Sequence, residues 1–302
     1  MRIDVITWNL FHGRDAPPDP ALFTWRSRLL KVTERDGTYA QVNRSLFAEF
    51  ATALSAMSWD LALLQESPPR WAPRLVEALG AESHRVLTSR NWLPVLQGAF
   101  ADLNPDLIAS SEGGSNLTLV RAAQLGGEPT IAERRTLVIH EGRPERRAMA
   151  FTRLAAGLCV ANLHATNDRP ELAGPEVLRA AELAVEWSGA APLIFGGDLN
   201  LRPAEQPAVF EALRDRHGLA PPTAPHAIDH LLSRGLELTE PPAPLPHPEV
   251  ARPAGFGGPL GLWRREAGHR IRLSDHAPVG VAYSIDAVPE PGARGTGTDV
   301  AP

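Results

Sequence analysis

One cysteine, Cys159, and one lysine, Lys31, are all that 302 residues contain of either type. A lone thiol cannot close an intrachain disulfide, which excludes a disulfide-stapled scaffold, and its neighbours Leu158, Val160 and Ala161 mark it as a buried small hydrophobe. Long apolar runs are missing too: no stretch approaches the roughly 20 residues a membrane span needs. Asp4 interrupts the N-terminal apolar segment before it could serve as a secretory signal core. The chain therefore reads as soluble, cytoplasmic and monomeric. Nor is there an excess of basic charge. Thirty basic against 35 acidic side chains leave a formal net charge of −5, which excludes a uniformly basic nucleic-acid coat. Arginine-for-lysine usage, with abundant alanine and proline, reads mostly as compositional bias. A chain of this length buries roughly 75% of its unfolded surface, so with 43% apolar residues it folds without staples.

Short β-branched apolar runs recur at Ile3 to Thr7, Leu61 to Leu64, Leu117 to Val120, Thr136 to Ile139, Ala148 to Leu154, Leu158 to His164, Leu193 to Phe195, Ile228 to Leu232 and Val279 to Ser284. These read as strands. Helical spacing joins Leu46, Phe47, Phe50, Leu54 and Met57, and again Val177, Ala181, Ala184, Val185 and Trp187. The runs between Leu117 and Leu163 follow one another without helical spacers, which predicts antiparallel hairpins and, overall, two packed mixed sheets with helices outside. One catalytic domain is expected over 1–285 and a disordered tail over 286–302, where no apolar period remains. Gly13 to Asn43 reads as an insertion, either a solvated loop with a short surface helix or a substrate-contacting lid. Thr239 to Gly261 reads as an extended, proline-rich loop.

Polar residues gather where strands should end: Asn9, Glu66, His164, Asp198 with Asn200, Asp229, and Asp275 with His276. Each alone has a bland explanation as a turn, a cap or a satisfied rim histidine. Gly196-Gly197-Asp198-Leu199-Asn200 is the most telling, because two glycines let backbone and oxygen groups approach a ligand closely. A sheet that brought these strand ends together would form one anionic, oxygen-rich pocket.

In order along the chain, Thr7-Trp8-Asn9, Leu64-Gln65-Glu66, Ala161-Asn162-Leu163-His164, Gly196 to Asn200, Ile228-Asp229-His230 and Ser274-Asp275-His276 resemble the motifs of the endonuclease/exonuclease/phosphatase family, the DNase I-like superfamily. The resemblance implies a four-layer α/β sandwich and a divalent-metal-dependent phosphoester hydrolase, a phosphodiesterase or nuclease in the first instance. It implies that Asn9, Glu66 and Asp275 hold Mg²⁺ or Mn²⁺. His276 would activate water as general base with Asp229 orienting its ring. Asp198 would align that water or handle a proton, while Asn200, His164 and Asn167 donate to the developing phosphorane. Asn116 and Arg121 are further candidates for substrate contact. The family carries alternative assignments of acid and base, and the residues alone do not choose.

Substrate stays open between nucleic acid and a small lipid or inositol phosphate. Arg14, Arg26, Arg28, Lys31, Arg35, Arg44, Arg121, Arg146 and Arg147 could line a phosphate-binding groove, whereas the net acidity points to a compact substrate. His12 and Trp25 fit a turn and core packing as readily as substrate contact. The calcineurin-type metal motifs and the Gly-x-Ser-x-Gly elbow are missing, and the glycines of Gly255 to Gly261 follow a proline-rich loop, which weakens a dinucleotide-binding reading. A catalytically silent binding protein on the same fold is the rival from another class; its expected sign, loss of a ligand or base, is not found.

Overall fold

The computed structural model describes residues 1–88, 104–107, 113–121, 130–140, 146–251 and 268–284. Its strands are β1 (Arg2–Asn9), β2 (Glu34–Arg35), β3 (Ala40–Gln41), β4 (Leu61–Ser67), β5 (Glu82–Leu87), β6 (Ser115–Val120), β7 (Ile131–His140), β8 (Arg147–Leu154), β9 (Cys159–His164), β10 (Leu193–Asp198), β11 (Asp229–Arg234), β12 (Glu237–Pro244), β13 (Glu249–Ala251), β14 (Arg270–Arg272) and β15 (Val279–Ser284). The helices are α1 (Trp25–Leu30), α2 (Phe47–Ala56), α3 (Ala72–Leu79), α4 (Pro170–Ser188) and α5 (Pro207–His217). Six strands form one sheet in the order β12-β15-β1-β4-β6-β5, and five form the other in the order β11-β10-β9-β8-β7. Two pairings are parallel, β1 with β4 and β9 with β10.

Period-2 alternation sorts the side chains into layers. On β1, Ile6 and Trp8 face α2 and α3 in one core with Phe50, Leu54, Trp71 and Leu75. Ile3 and Val5 point the other way, into a second core shared with Val160, Ile194 and Leu231 of the facing sheet. Beyond that sheet, Ala161, Leu163 and Phe195 pack on Ala173, Val177 and Ala184 of α4 and on Phe210 and Leu213 of α5. Helices, sheet, sheet, helices make the four layers, and Cys159 lies buried in the outer one.

The strands and both helices expected from periodicity are present. Three expectations need correction. The strand around Leu117 does not hairpin with its successors: β6 lies between β4 and β5 in the larger sheet, while β7, β8 and β9 form the antiparallel meander of the smaller one. Part of the proline-rich segment is strand β12, paired with β15 through two register shifts. It is an edge, where Pro241, Pro242 and Pro244 need supply no ladder hydrogen bonds on the open side. Trp25 is no core residue; it is 64% exposed on α1. The expected tail over 286–302 and the glycines of 255–261 lie outside the described residues. Strand β5, with its polar sequence Glu82-Ser83-His84-Arg85, and helices α3 and α5 were not among the expected elements.

Candidate active site

The same alternation that builds the cores sets the site. Counting in twos from Val5, Asn9 points into the space between the sheets; so do His164 from Val160, Asp198 from Ile194 and Asp229 from Leu231. Ladder register does the rest: Asp198 lies opposite His164 on β9 and opposite Asp229 on β11. The glycines before it are obligatory. A Cβ on Gly197, at φ +127°, would stand 2.0 Å from the Leu163 carbonyl oxygen, and one on Gly196 would stand 2.2 Å from that of His230.

Across the gap, the Asn9 amide donates to Asp198 Oδ2 at 2.9 Å, and Asn9 Oδ1 accepts the Phe11 N–H at 2.9 Å. Glu66 has the wrong parity to face this space from a regular strand. A bulge in β4 and a left-handed Glu66 backbone, φ 46°, turn it, leaving its carboxylate 3.2 Å from His12 Nε2 and 3.9 Å from His164 Nε2. His276 is clamped by its backbone. Trp8 Nε1 donates to its carbonyl at 2.9 Å, and Ser274 Oγ, which donates to the Asn9 carbonyl at 2.6 Å, accepts its N–H. The ring then pairs through Nδ1 with Asp229 Oδ2 at 2.7 Å, and its Nε2 lies 3.8 Å from Asp198 Oδ2 and 4.0 Å from Asp275 Oδ1. His164 Nε2 reaches the same Asp198 oxygen at 3.5 Å.

Burial and mutual charge split these groups. His164, buried and facing the Arg147 cation, has its pKa pushed down to about 3 and stays neutral. Burial also opposes charge on His276, but the Asp229 hydrogen bond and the fields of Asp229, Asp198 and Asp275 prevail and raise it to about 10. Asp198 is raised above the usual carboxylate range by burial and by the Asp229 charge. Asp275 is raised by burial. Glu66 is lowered: against its burial stand His12, His164, His276 and Arg14.

The sequence candidates therefore do not all sit alike. Asn9, Glu66, His164, Asp198, Asp229, Asp275 and His276 converge. Asn200, at φ 52°, spends its amide nitrogen on the Ala165 carbonyl and lines, with Asn167, a hollow of about 130 Å³ beside α4. Asn116 is fully buried between the sheets, its amide donating to the Ala148 carbonyl at 2.8 Å, so it is not placed to touch a substrate. Arg121 is a second correction. It follows the far end of β6, stacked 3.8 Å over Trp59, a strand length from Glu66. His230 of the same motif as Asp229 is structural, its ring held between the Thr223 N–H and the Leu201 carbonyl.

Sequence reasoning assigned no role to Gln65, Asn162 or Ser274. Gln65 crosses the sandwich to Asn162 at 2.8 Å and also bonds Thr7, forming a polar floor under the site. Its signal was available: Thr7, Gln65 and Asn162 each lie two residues or one bulge from a site residue, on the same strand face.

The oxygens of Asn9, Glu66 and Asp275 are of the kind a hard divalent cation takes. Among the described residues, Asp198, Asp229 and His276 form a second group, with one donor atom from each within 4.8 Å of the others, and Asp229 Oδ1 is buried without a hydrogen-bond partner. The donor chemistry fits a metal ion.

Residues 6–276 match the model of the Endonuclease/Exonuclease/phosphatase family. No curated protein matches the sequence. The fold is similar to that of the mannosyl-6-phosphatase of Bacteroides thetaiotaomicron, at 15% identity and TM-score 0.59 over 94% of this chain and 100% of that one. A second protein from that organism, described as an endonuclease/exonuclease/phosphatase family protein, gives 15% identity and TM-score 0.58 over 95% and 98%. One from Beutenbergia cavernae gives 14% and 0.54 over 93% and 71%. With six ordered motifs, the four-layer sandwich and a family match over nearly its whole length, the chain belongs to the Endonuclease/Exonuclease/phosphatase family.

Proposed function

We propose that this protein is a divalent-metal-dependent phosphoester hydrolase, acting first on phosphodiesters. The observation that carries this reading is the placement of Asp198. It lies in register with His164 and Asp229, bonded to Asn9 of the facing sheet, and 3.8 Å from a histidine that Asp229 holds by its other nitrogen. Asn9, Glu66 and Asp275 would hold Mg²⁺ or Mn²⁺, which when bound polarises a phosphoryl oxygen.

The chain's own groups then divide the work. Asp198, whose environment favours taking a proton, accepts one from the water that attacks phosphorus as the ester P–O bond breaks. His276, held as an imidazolium by Asp229, donates from Nε2 to the charge developing on oxygen. This keeps for Asp198 the proton handling expected from the motifs and changes His276 from the expected general base to a donor, because a ring with a pKa of about 10 is already protonated at neutral pH. Neutral His164, 3.5 Å from Asp198 Oδ2, adds a hydrogen bond at the rim; Asn200 and Asn167, lining the neighbouring hollow, would contact the substrate beyond the reacting phosphorus.

The test uses protein stripped with EDTA and resupplied with Mg²⁺ or Mn²⁺, on bis-p-nitrophenyl phosphate, p-nitrophenyl phosphate, DNA, RNA, sphingomyelin and inositol phosphates. Turnover that stops on chelation and returns with the ion is expected, with diesters ahead of monoesters. The mannosyl-6-phosphatase likeness favours the alternative of a phosphomonoesterase, and a reversed preference would select it. Ion-independent turnover, or none on any phosphoester, would overturn the hydrolase reading.

A further inference from the structure

The large apolar side chains most exposed among the described residues are Met1, Trp25, Leu29, Leu30, Leu107 and Leu238. Three of these six belong to the single short helix α1, with Trp25, Leu29 and Leu30 at 64%, 59% and 62% exposure. Helical geometry puts Trp25 and Leu29, four residues apart, on one outward line, with Arg26 and Arg28 to either side and the buried Ser27 on the opposite face. Lys31 follows as the C-cap. From Ala21 to Thr33 there are three cations and no acid, in a chain whose net charge is −5; Glu34, the next residue, lies 4.0 Å from Arg26 Nε, while Arg28 and Lys31 are the two further cations.

This helix is fastened to the body. Thr24 caps it, accepting the Ser27 N–H, and Asn43 and Asn104 donate to the Arg28 carbonyl. It also flanks the site: Asp106 lies within electrostatic reach of both Arg28 and Arg14, and Arg14 within reach of Glu66 and Asp275. Leu107, 38% exposed, extends the apolar surface on the Asn104 side.

We propose that the outward face of α1, with Trp25, Leu29 and Leu30 set among Arg26, Arg28 and Lys31, docks the protein on an anionic phospholipid surface. An exposed tryptophan and two leucines ringed by cations match an interface that is apolar within and negatively charged at its headgroups. A nucleic acid would meet the cations but leave the leucines in water. A symmetric second copy would set identical cation clusters against each other. The net negative charge of the whole chain works against general adsorption, so attachment must run through this face and must weaken with salt. The surface stands on exposure and charge; the substrate class it implies, a phosphoester presented at a lipid interface, rests on the hydrolase reading above.

Full-length protein is sedimented with phosphatidylcholine vesicles and with vesicles carrying 30% phosphatidylserine, a composition of about one anionic lipid in three chosen so that each nearby cation adds roughly fivefold to binding. Binding to the anionic vesicles alone, lost at high salt, is expected. Leu29→Glu with Leu30→Glu, and separately Arg26→Glu with Lys31→Glu, should each weaken it by about tenfold or more while the unfolding midpoint stays put. Trp25→Ala provides a variant of different chemistry should either pair fold poorly. Wild-type protein that stays in the supernatant overturns the proposal, as does binding that all three variants retain. A concentration-dependent dimer dissociated by the leucine substitutions, or displacement from vesicles by single-stranded DNA at equal phosphate, would assign the face to those partners instead. Turnover of bis-p-nitrophenyl phosphate by the same preparation reports the hydrolase reading separately: turnover without vesicle binding removes the docking surface only.

Discussion

Asp229 makes the strongest test of a single side chain, because its 2.7 Å hydrogen bond with His276 Nδ1 serves both charge and orientation. Asp229→Asn removes the carboxylate that stabilises the imidazolium, so the His276 pKa should fall from about 10 towards the ordinary histidine value, read by NMR titration of the metal-free protein. Turnover should fall by roughly 10²–10⁴-fold, the range for losing acid–base assistance. An unmoved pKa would mean that Asp198 and Asp275 alone set the ring's charge. Ser274 acts one step back. Ser274→Ala forfeits a hydrogen bond to the Asn9 carbonyl and the acceptor for the His276 N–H. A loss of about 1–2 kcal/mol in denaturant unfolding is expected, with kcat lowered more than KM because the turn, not the substrate, has shifted. At this scale the sequence was legible where a residue type implied its chemistry, as with Asp198, Asp229 and His276. It misled on Asn116 and Arg121, both candidates for substrate contact: burial between the sheets removes Asn116, and position at the far end of β6 removes Arg121.

Strands and turns explain both the success and the misses. Position at strand ends marked Asn9, His164, Asp198 and Asp229 as candidates, and alternation from Val5, Val160, Ile194 and Leu231 of the inter-sheet core aims them into one space. Glu66 could not be aimed that way, because its direction depends on a bulge that no periodicity announces. Sheet membership was equally hidden: the run at Leu117 is an ordinary apolar strand, and only pairing with β4 and β5 assigns it to the larger sheet. β12 was masked by its prolines, which an edge accepts. The Gly196-Gly197 pair is where an element tolerates least. Gly197→Ala would drive a methyl into the Leu163 carbonyl at a backbone angle that L-residues avoid. It should cost at least about 3 kcal/mol, seen as a lowered unfolding midpoint or insoluble expression. Wild-type stability in that variant would show that β9 and β10 can part without consequence.

For the molecule as a whole, neutral histidines buried in the sandwich make stability depend on acid. His84 of β5 reaches across the sheets to Thr152 of β8 at 3.0 Å, and burial lowers its pKa to about 4. Its unfolded value is near 6.5, so the unfolded chain binds the proton first. Stability from this group is complete above pH 6.5 and is lost as the pH falls towards 4. His164, at about 3, continues the loss to lower pH. The His84 contribution to stability should therefore fall between pH 7 and 4.5, so that wild type loses on the order of 2 kcal/mol more over this interval than His84→Gln does in urea unfolding; an equal slope in the two proteins would locate the acid sensitivity elsewhere. The central claim is that distant strand ends act as one phosphoesterase centre, and a double-mutant comparison of Asp198→Asn and His276→Gln tests it most directly. Initial rates on bis-p-nitrophenyl phosphate with saturating Mg²⁺ should fall by about 10²-fold or more in each single variant, and the double variant should be little worse than the poorer single, as for groups that work as a unit. Near-normal turnover in either variant, or losses that simply multiply, would contradict it.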